Sequence, residues 1–359
     1  MKNFCILPFI HLETTPNGDA KPCCLYEETM PVGNFNEQTI DEIWNGEKIK
    51  KLRNEFIEGG KPKGCQKCWS AEASGNKSKR LTDNERFNDK DIVNPYPLYL
   101  DLKLGTVCNL KCRTCSTVHS FKWKEDEIKL YGKPLNEDLQ SYWVDEDSVF
   151  WNDIIKVLPH IEYFDFTGGE PLLIKRHFDI LRLCVEKGYA QNISIHYNTN
   201  GTVQITDEMA ELWSHFKWVE VMFSIDGMNE QFEYLRFPAK WNVVESNFKN
   251  ALTYDFHVTL CHTVSKYNAW YLPKFKEWAG DIDVYYNLLH YPDYQSVKCI
   301  SKTGKKLFKK RLEKDFPEIV SFMLSGDGTQ DNITSRLDVI RNESAKEVFK
   351  DVYDYIRIH

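Results

Sequence analysis

Long apolar runs are missing from this chain. No stretch approaches the ~18 consecutive apolar residues that a membrane-spanning helix needs, which excludes a helical membrane protein. The apolar opening from Met1 to Ile10 is ended by His11 and Glu13, with no small-residue cleavage site behind it. It does not read as a signal peptide, and a cytoplasmic location is expected. A surplus of positive charge is missing too: 46 Lys and Arg stand against 53 Asp and Glu, a formal charge of −7. A general nucleic-acid binder shows the opposite balance, so neither nucleic acid nor membrane is an expected partner. Internal repeats and long low-complexity tracts are absent, and an aromatic content of 14% argues against disorder. The 359 residues suffice for one large or two ordinary domains.

What the chain has in excess is cysteine. There are eleven, at 5, 23, 24, 65, 68, 108, 112, 115, 184, 261 and 299, so eight fall in the first third. An odd, clustered set without an export signal is not a disulfide framework. Clustered thiols in a reducing compartment point to metal.

The chain divides by texture. Residues 1–95 are cysteine-rich, with short elements. Asn17-Gly18 is a two-residue turn between Ile10–Thr15 and Ala20–Leu25 and predicts a hairpin. Thr39-Ile40-Asp41-Glu42 fits a capping box, opening a helix that Asn45-Gly46 interrupts. A second helix runs from Glu47 to Ile57, with Leu52 and Phe56 on one face, and stops at Gly59-Gly60. Residues 70–95 read as a polar linker or extended surface segment. Residues 96–290 alternate strand-like and helical runs. The strands are Tyr99–Leu104, Tyr163–Thr167, Ile193–Asn198, Val219–Ile225, Val258–Val264 and Val284–Leu288, with helices such as Leu172–Lys187 and Pro273–Trp278 between them. This rhythm implies α/β architecture, a parallel sheet with right-handed crossovers, and a site at the carboxyl ends of the strands. Residues 291–359 are helical and charged.

Two cysteine sets carry the chemistry. Cys108, Cys112 and Cys115 follow the first strand of the middle part as C-x3-C-x2-C. Closed zinc sites and most iron–sulfur clusters take four ligands. A cubane held by three thiolates leaves one iron open to a small molecule. Cys5, Cys23, Cys65 and Cys68 form a set of four, suited to a closed zinc site or a fully ligated iron–sulfur cluster; spacing alone does not separate the two. Cys24 adjoins Cys23 and should point to the opposite strand face, which makes it a non-ligand.

C-x3-C-x2-C after the first strand of a partial (β/α)6 barrel resembles the radical S-adenosylmethionine (SAM) superfamily. Phe166-Thr167-Gly168-Gly169-Glu170-Pro171 resembles that family's Gly-Gly-Glu element, which holds the amino group of SAM. Two glycines allow close backbone approach, and Glu170 can accept from an ammonium. Asn198 and Asn200 end the third strand, where the family reaches the SAM carboxylate and ribose. Ser224 and Asp226 end the fourth, and Arg236 offers a cation for a carboxylate. Val264 ends the fifth, where the family contacts adenine. Thr114 departs from the bulky residue usual before the third cysteine. The resemblance implies a [4Fe-4S] cluster on Cys108, Cys112 and Cys115. It also implies reductive cleavage of SAM to a 5′-deoxyadenosyl radical, and hydrogen abstraction from a substrate. Asp226 is the candidate catalytic acid or base.

The amino-terminal set resembles the twitch module, the half-sized relative of the SPASM module, here placed before the barrel instead of after it. That resemblance implies an auxiliary [4Fe-4S] cluster on Cys5, Cys23, Cys65 and Cys68. The domains expected are then 1–95, an auxiliary module and linker; 96–290, the partial barrel; and 291–359, a helical cover. Enzymes of this build modify peptides by oxidation or cross-linking, and the auxiliary cluster accepts the electron. They also act on small molecules or nucleotides as dehydrogenases or isomerases. A peptide substrate and an electron donor such as flavodoxin or ferredoxin are the expected partners. A non-catalytic iron–sulfur electron-transfer protein and a zinc-stabilised binding protein are the readings of another class. Cys184 and Cys261 read as core residues, Tyr197 and His262 as interior or core, and Cys299 as a loop thiol. The basic run from Lys302 to Lys314 reads as the solvated face of a helix.

Overall fold

In the computed structural model, which describes residues 3–75, 77–137 and 148–356, the Asn17-Gly18 turn closes a hairpin. Strands β1 (His11–Thr14) and β2 (Asp19–Lys21) pair antiparallel, with Glu13 opposite Lys21. Gly18 takes φ +90°, the left-handed conformation such a turn requires. A short β3 (Gly33–Asn34) continues the antiparallel side. The capping box at Thr39 forms: its hydroxyl accepts from Glu42 N, and the Glu42 carboxylate accepts from Thr39 N. The helices Ile40–Trp44 and Glu47–Ile57 follow, broken at Asn45-Gly46 as expected.

The chain forms two compact units. The first comprises Met1–Val107, Gln140–Tyr197 and Glu211–Val219. Its hairpin is not a separate bead: β1 pairs in parallel with β4 (Tyr99–Leu102), which pairs with β5 (Tyr163–Phe166), which pairs with β6 (Ser194–Thr199). Alternation then sorts the side chains. Phe164, Phe166, Ile195 and Tyr197 are buried, and Tyr197 stacks on Phe166 and Phe178. Tyr197 is therefore a core residue. On the other strand face, one register level carries Lys21, Glu13, Asp101, Asp165 and His196 across five strands. Glu13 meets Lys103 at 2.7 Å, Lys103 meets Asp101 at 2.9 Å, and Tyr99 donates to Asp165.

Residues 70–95 are not a linker. The helix Gln66–Ala73 runs into them, and Lys79–Arg86 is a second helix. Ser78 caps the latter by accepting from Leu81 N. Arg80 donates to Phe4 O at 2.6 Å, and Asn84 accepts from Ile6 N at 2.8 Å. A polar-looking segment is thereby stitched to the first residues of the chain. Cys23 and Cys24 also sit differently from expectation: β2 ends at Lys21, so both lie in the turn beyond the strand.

The second unit comprises Cys108–Leu139, Asn198–Ala210 and Glu220–His359. Here β7 (Trp218–Ser224), β8 (His257–Val264) and β9 (Val284–Leu288) pair in parallel. The carboxyl-terminal part is helical as expected, including Lys302–Leu312, Pro317–Leu324 and Thr334–Arg341. Phe308, Leu312 and Phe349 pack with Tyr234, Leu235 and Val264 in one apolar cluster. The basic helix exposes Lys302, Lys306, Lys309, Lys310 and Arg311, while Lys305 is drawn in to Gly326 O at 2.7 Å. No helix among the described residues is long and apolar enough to cross a membrane.

Candidate cluster and cofactor site

In the second unit the loop from Cys108 to Cys115 is held at nearly every step. Lys111 N donates to Phe237 O and Arg113 N to Leu235 O, each at 2.8 Å. Ser120 donates to Leu110 O at 2.6 Å, Trp123 Nε1 to Cys112 O at 3.0 Å, and Gln295 Nε2 to Arg113 O at 2.7 Å. A segment without regular structure is thus fixed by contacts from three separate stretches of chain. Burial pushes the Cys112 and Cys115 thiols up, and neighbouring Cys112 and Cys108 push Cys115 further. The thiols are close enough to act on one another. Yet among the described residues no three thiol, imidazole or carboxyl groups stand close enough for a single ion.

Other expected residues gather on the same unit. Asn200 Nδ2 lies 3.8 Å from Cys108 Sγ and donates to Asn109 at 3.0 Å. Ser224 donates to Asn198 at 2.9 Å. Arg236 ion-pairs with Asp226 at 2.8 Å, and the other Asp226 oxygen accepts from Thr263 N at 2.8 Å. Both oxygens of this buried carboxylate are committed, which suits a positioning group better than a proton carrier. The Val264 side chain is fully enclosed in the apolar cluster, so only its backbone is left for a ligand. His262 Nδ1 bonds Ile225 O and its ring packs on Phe275; burial lowers it to about 4 and keeps it neutral. Cys184, Cys261 and Cys299 are buried.

Sequence reasoning missed the supports of the loop. Arg113 lies 3.6 Å over the Tyr234 ring and ion-pairs with Asp338 at 2.6 Å and Glu343 at 2.8 Å. Asp126 pairs with both Lys111 and Arg341 at 2.8 Å. The partners lie up to 230 positions apart in the chain, and no spacing signal announces them.

In the first unit, Gly168 and Gly169 take φ +77° and +58°, and a Cβ on Gly169 would meet Val107 O at 2.2 Å. Both glycines are required by the turn and by the close approach to Val107. Glu170 is fully buried; its N–H donates to Val107 O at 2.8 Å, and its carboxylate accepts from Leu172 N at 3.1 Å. The side chain expected to meet an ammonium is thus part of the turn's own frame. The same unit holds a small cavity lined by Cys5, Cys23, Cys65 and Cys68 together with Lys79 and Arg80. Cys24 is exposed and not part of that lining. Burial pushes Cys5 and Cys65 up to about 12, and the thiols raise one another. Arg80 draws both back down.

Against known families, residues 102–279 match the radical SAM superfamily and residues 5–69 match the SPASM iron–sulfur cluster-binding domain. The chain belongs to the radical SAM superfamily. Its SPASM-type domain precedes the radical SAM domain, as the sequence order of the two cysteine sets requires. The fold is accordingly α/β, a partial (β/α)6 radical SAM barrel with a small cysteine-rich module before it. These domains bring a SAM-binding [4Fe-4S] cluster and an auxiliary iron–sulfur cluster. Among solved structures, native anSMEcpe with bound AdoMet is 24% identical at a TM-score of 0.44, over 65% of this chain and 63% of that one. The same protein with AdoMet and Cp18Cys peptide is 20% identical at 0.40, over 64% and 62%. Streptococcus suis SuiB bound to S-adenosylmethionine is 12% identical at 0.34, over 76% of this chain and 58% of that one. The chain therefore spans less than two thirds of the length of these solved structures. No curated protein matches it in sequence.

Proposed function

We propose that the chain is a radical SAM enzyme that oxidises or cross-links a peptide, with the four-thiol site as electron acceptor. The observation that carries this reading is the contrast between the two thiol sets. Three sit on one anchored loop, and four line one cavity. When bound, the reduced three-cysteine cluster and SAM supply a 5′-deoxyadenosyl radical able to take a hydrogen atom from an unactivated C–H bond. The chain's own part is to hold, orient and exclude water.

Cys108, Cys112 and Cys115 hold that cluster and leave one iron open. The half-buried backbone of Gly168 and Gly169 takes the amino group of SAM, and Glu170 keeps the turn in shape for it. Arg236 meets the carboxylate and Asp226 positions Arg236. Asn198 and Ser224 face the ribose, and Val264 offers its backbone to adenine. Asn200 donates toward the Cys108 sulfur, which favours the thiolate. Cys5, Cys23, Cys65 and Cys68 hold the auxiliary [4Fe-4S] cluster.

A peptide is supported by β9, the last strand in the sheet order among the described residues, since an extended chain can add to a sheet edge. The charged row from Lys21 to His196 supports a second reading, a polar small molecule held by several hydrogen bonds. The test is anaerobic turnover of the iron-loaded protein against a peptide library and a panel of sugars and nucleotides. The peptide reading expects peptides to speed 5′-deoxyadenosine formation and to lose two hydrogens by mass. Acceleration by small polar molecules alone overturns it. Zinc in place of iron overturns the enzyme reading.

A further inference from the structure

We propose that Arg341, supplied by the carboxyl-terminal helix Thr334–Arg341, is a buried cation that raises the reduction potential of the three-cysteine cluster. The proposal rests on reading Cys108, Cys112 and Cys115 as that cluster's ligands. Arg341 lies well beyond residue 279, where the radical SAM match ends. It gives the carboxyl-terminal segment a part in the chemistry besides packing.

Arg341 is only 8% exposed. Its Nε pairs with Asp126 at 2.8 Å, but its two terminal nitrogens are enclosed and find no hydrogen-bond partner among the described residues. A buried donor left without a partner is costly, and more so where the group is charged. A guanidinium with two such nitrogens calls for an anionic neighbour. Asp126 does not suffice, because Lys111 shares it at 2.8 Å. The nearby acids Asp338 and Glu343 are taken by Arg113 at 2.6 and 2.8 Å.

The place of Arg341 points to the cluster loop. Its guanidinium lies 4.5 Å over the Trp123 ring and 5.0 Å over the Phe237 ring. Trp123 donates to Cys112 O, and Phe237 O accepts from Lys111 N. Trp123 and Leu337, from the same helix as Arg341, also pack with Cys115. Both residues beneath Arg341 are thus bonded to the loop that carries the thiols, Trp123 through its ring nitrogen and Phe237 through its backbone carbonyl. Arg236 pairs with Asp226, whereas Arg341 shares Asp126 with Lys111. A cluster on three thiolates is anionic and gains one more negative charge on reduction. A cation held nearby in a dry setting stabilises the reduced form more than the oxidised one. Taking up an electron is the step that opens the family's chemistry, so the position of this residue bears on how strong a donor the enzyme needs.

The test compares wild type, R341M and R341K after anaerobic reconstitution. Iron is counted, and the potential is read from the electron paramagnetic resonance signal that changes on adding SAM, which marks the cluster with the open iron. R341M should keep its iron and become at least about tenfold harder to reduce, a fall of about 59 mV or more for one electron. R341K should stay near wild type. An unchanged or raised potential in iron-loaded R341M overturns the proposal. Iron lost from both variants also overturns it, since Arg341 would then be a packing group. Iron lost from R341M but kept by R341K overturns it as well, because the charge would then hold the cluster in place instead of setting its potential. Wild-type protein that takes no iron on the three cysteines sinks the cluster reading itself, a result distinct from any of these.

Discussion

Gly169 shows how far a single residue can constrain the site. A methyl group there meets Val107 O at 2.2 Å, on the residue just before Cys108, at a backbone angle of φ +58°. Gly169→Ala should cost about 1–3 kcal/mol in backbone strain and weaken SAM binding at least tenfold by equilibrium dialysis; unchanged binding would contradict the role given to this turn. The thiols carry a second prediction. Cys5 and Cys65 are held near 12 against an ordinary 9.0. Their folded values are raised, so the stability they contribute to the cluster-free protein is whole below pH 9 and is lost as pH climbs to 12. Cluster loading must expel those protons. Loading at fixed iron and sulfide should therefore grow more favourable from pH 6.5 to 8.5, with proton release measurable in weakly buffered solution. At this scale the sequence shows which residues are chemical, through C-x3-C-x2-C and Gly-Gly-Glu. It does not show Arg113 or Arg341, because ion pairs across 200 positions leave no local pattern.

Elements were legible where periodicity and caps agree. Strand β9 lies at Val284–Leu288 as read, and the capping box at Thr39 starts its helix. Residues 70–95 were misread because their helix is stabilised by distant partners, not by an apolar stripe. Arg80 is the centre of that arrangement: it bonds Phe4 O at 2.6 Å, pairs with Glu72 at 2.7 Å and lies 4.9 Å over the Trp69 ring. Breaking such a pair leaves a carboxylate without its partner. Arg80→Met should therefore destabilise the protein by about 3 kcal/mol in urea unfolding, and should lower retention of the auxiliary iron. The turn after β2 makes a finer distinction. Cys23 lines the four-thiol cavity and Cys24 does not. Cys24→Ser should keep full iron, whereas Cys23→Ser should lose most of one cluster.

For the molecule as a whole, the alternation of strands and helices was enough to give the α/β class and the parallel sheet. It could not show that the amino-terminal hairpin joins that sheet through β1 and β4, since two four-residue strands pair without any signal in either. The central claim is that one chain carries two iron–sulfur sites and uses the three-cysteine one to cleave SAM. The most direct measurement is 5′-deoxyadenosine released from SAM by anaerobically reconstituted, dithionite-reduced protein, beside a variant with Cys108, Cys112 and Cys115 all changed to Ala. The account predicts ~8 Fe per wild-type chain, about half that in the variant, and 5′-deoxyadenosine from the wild type alone. Iron-loaded wild type that forms no 5′-deoxyadenosine, with SAM and substrate candidates present, would contradict it.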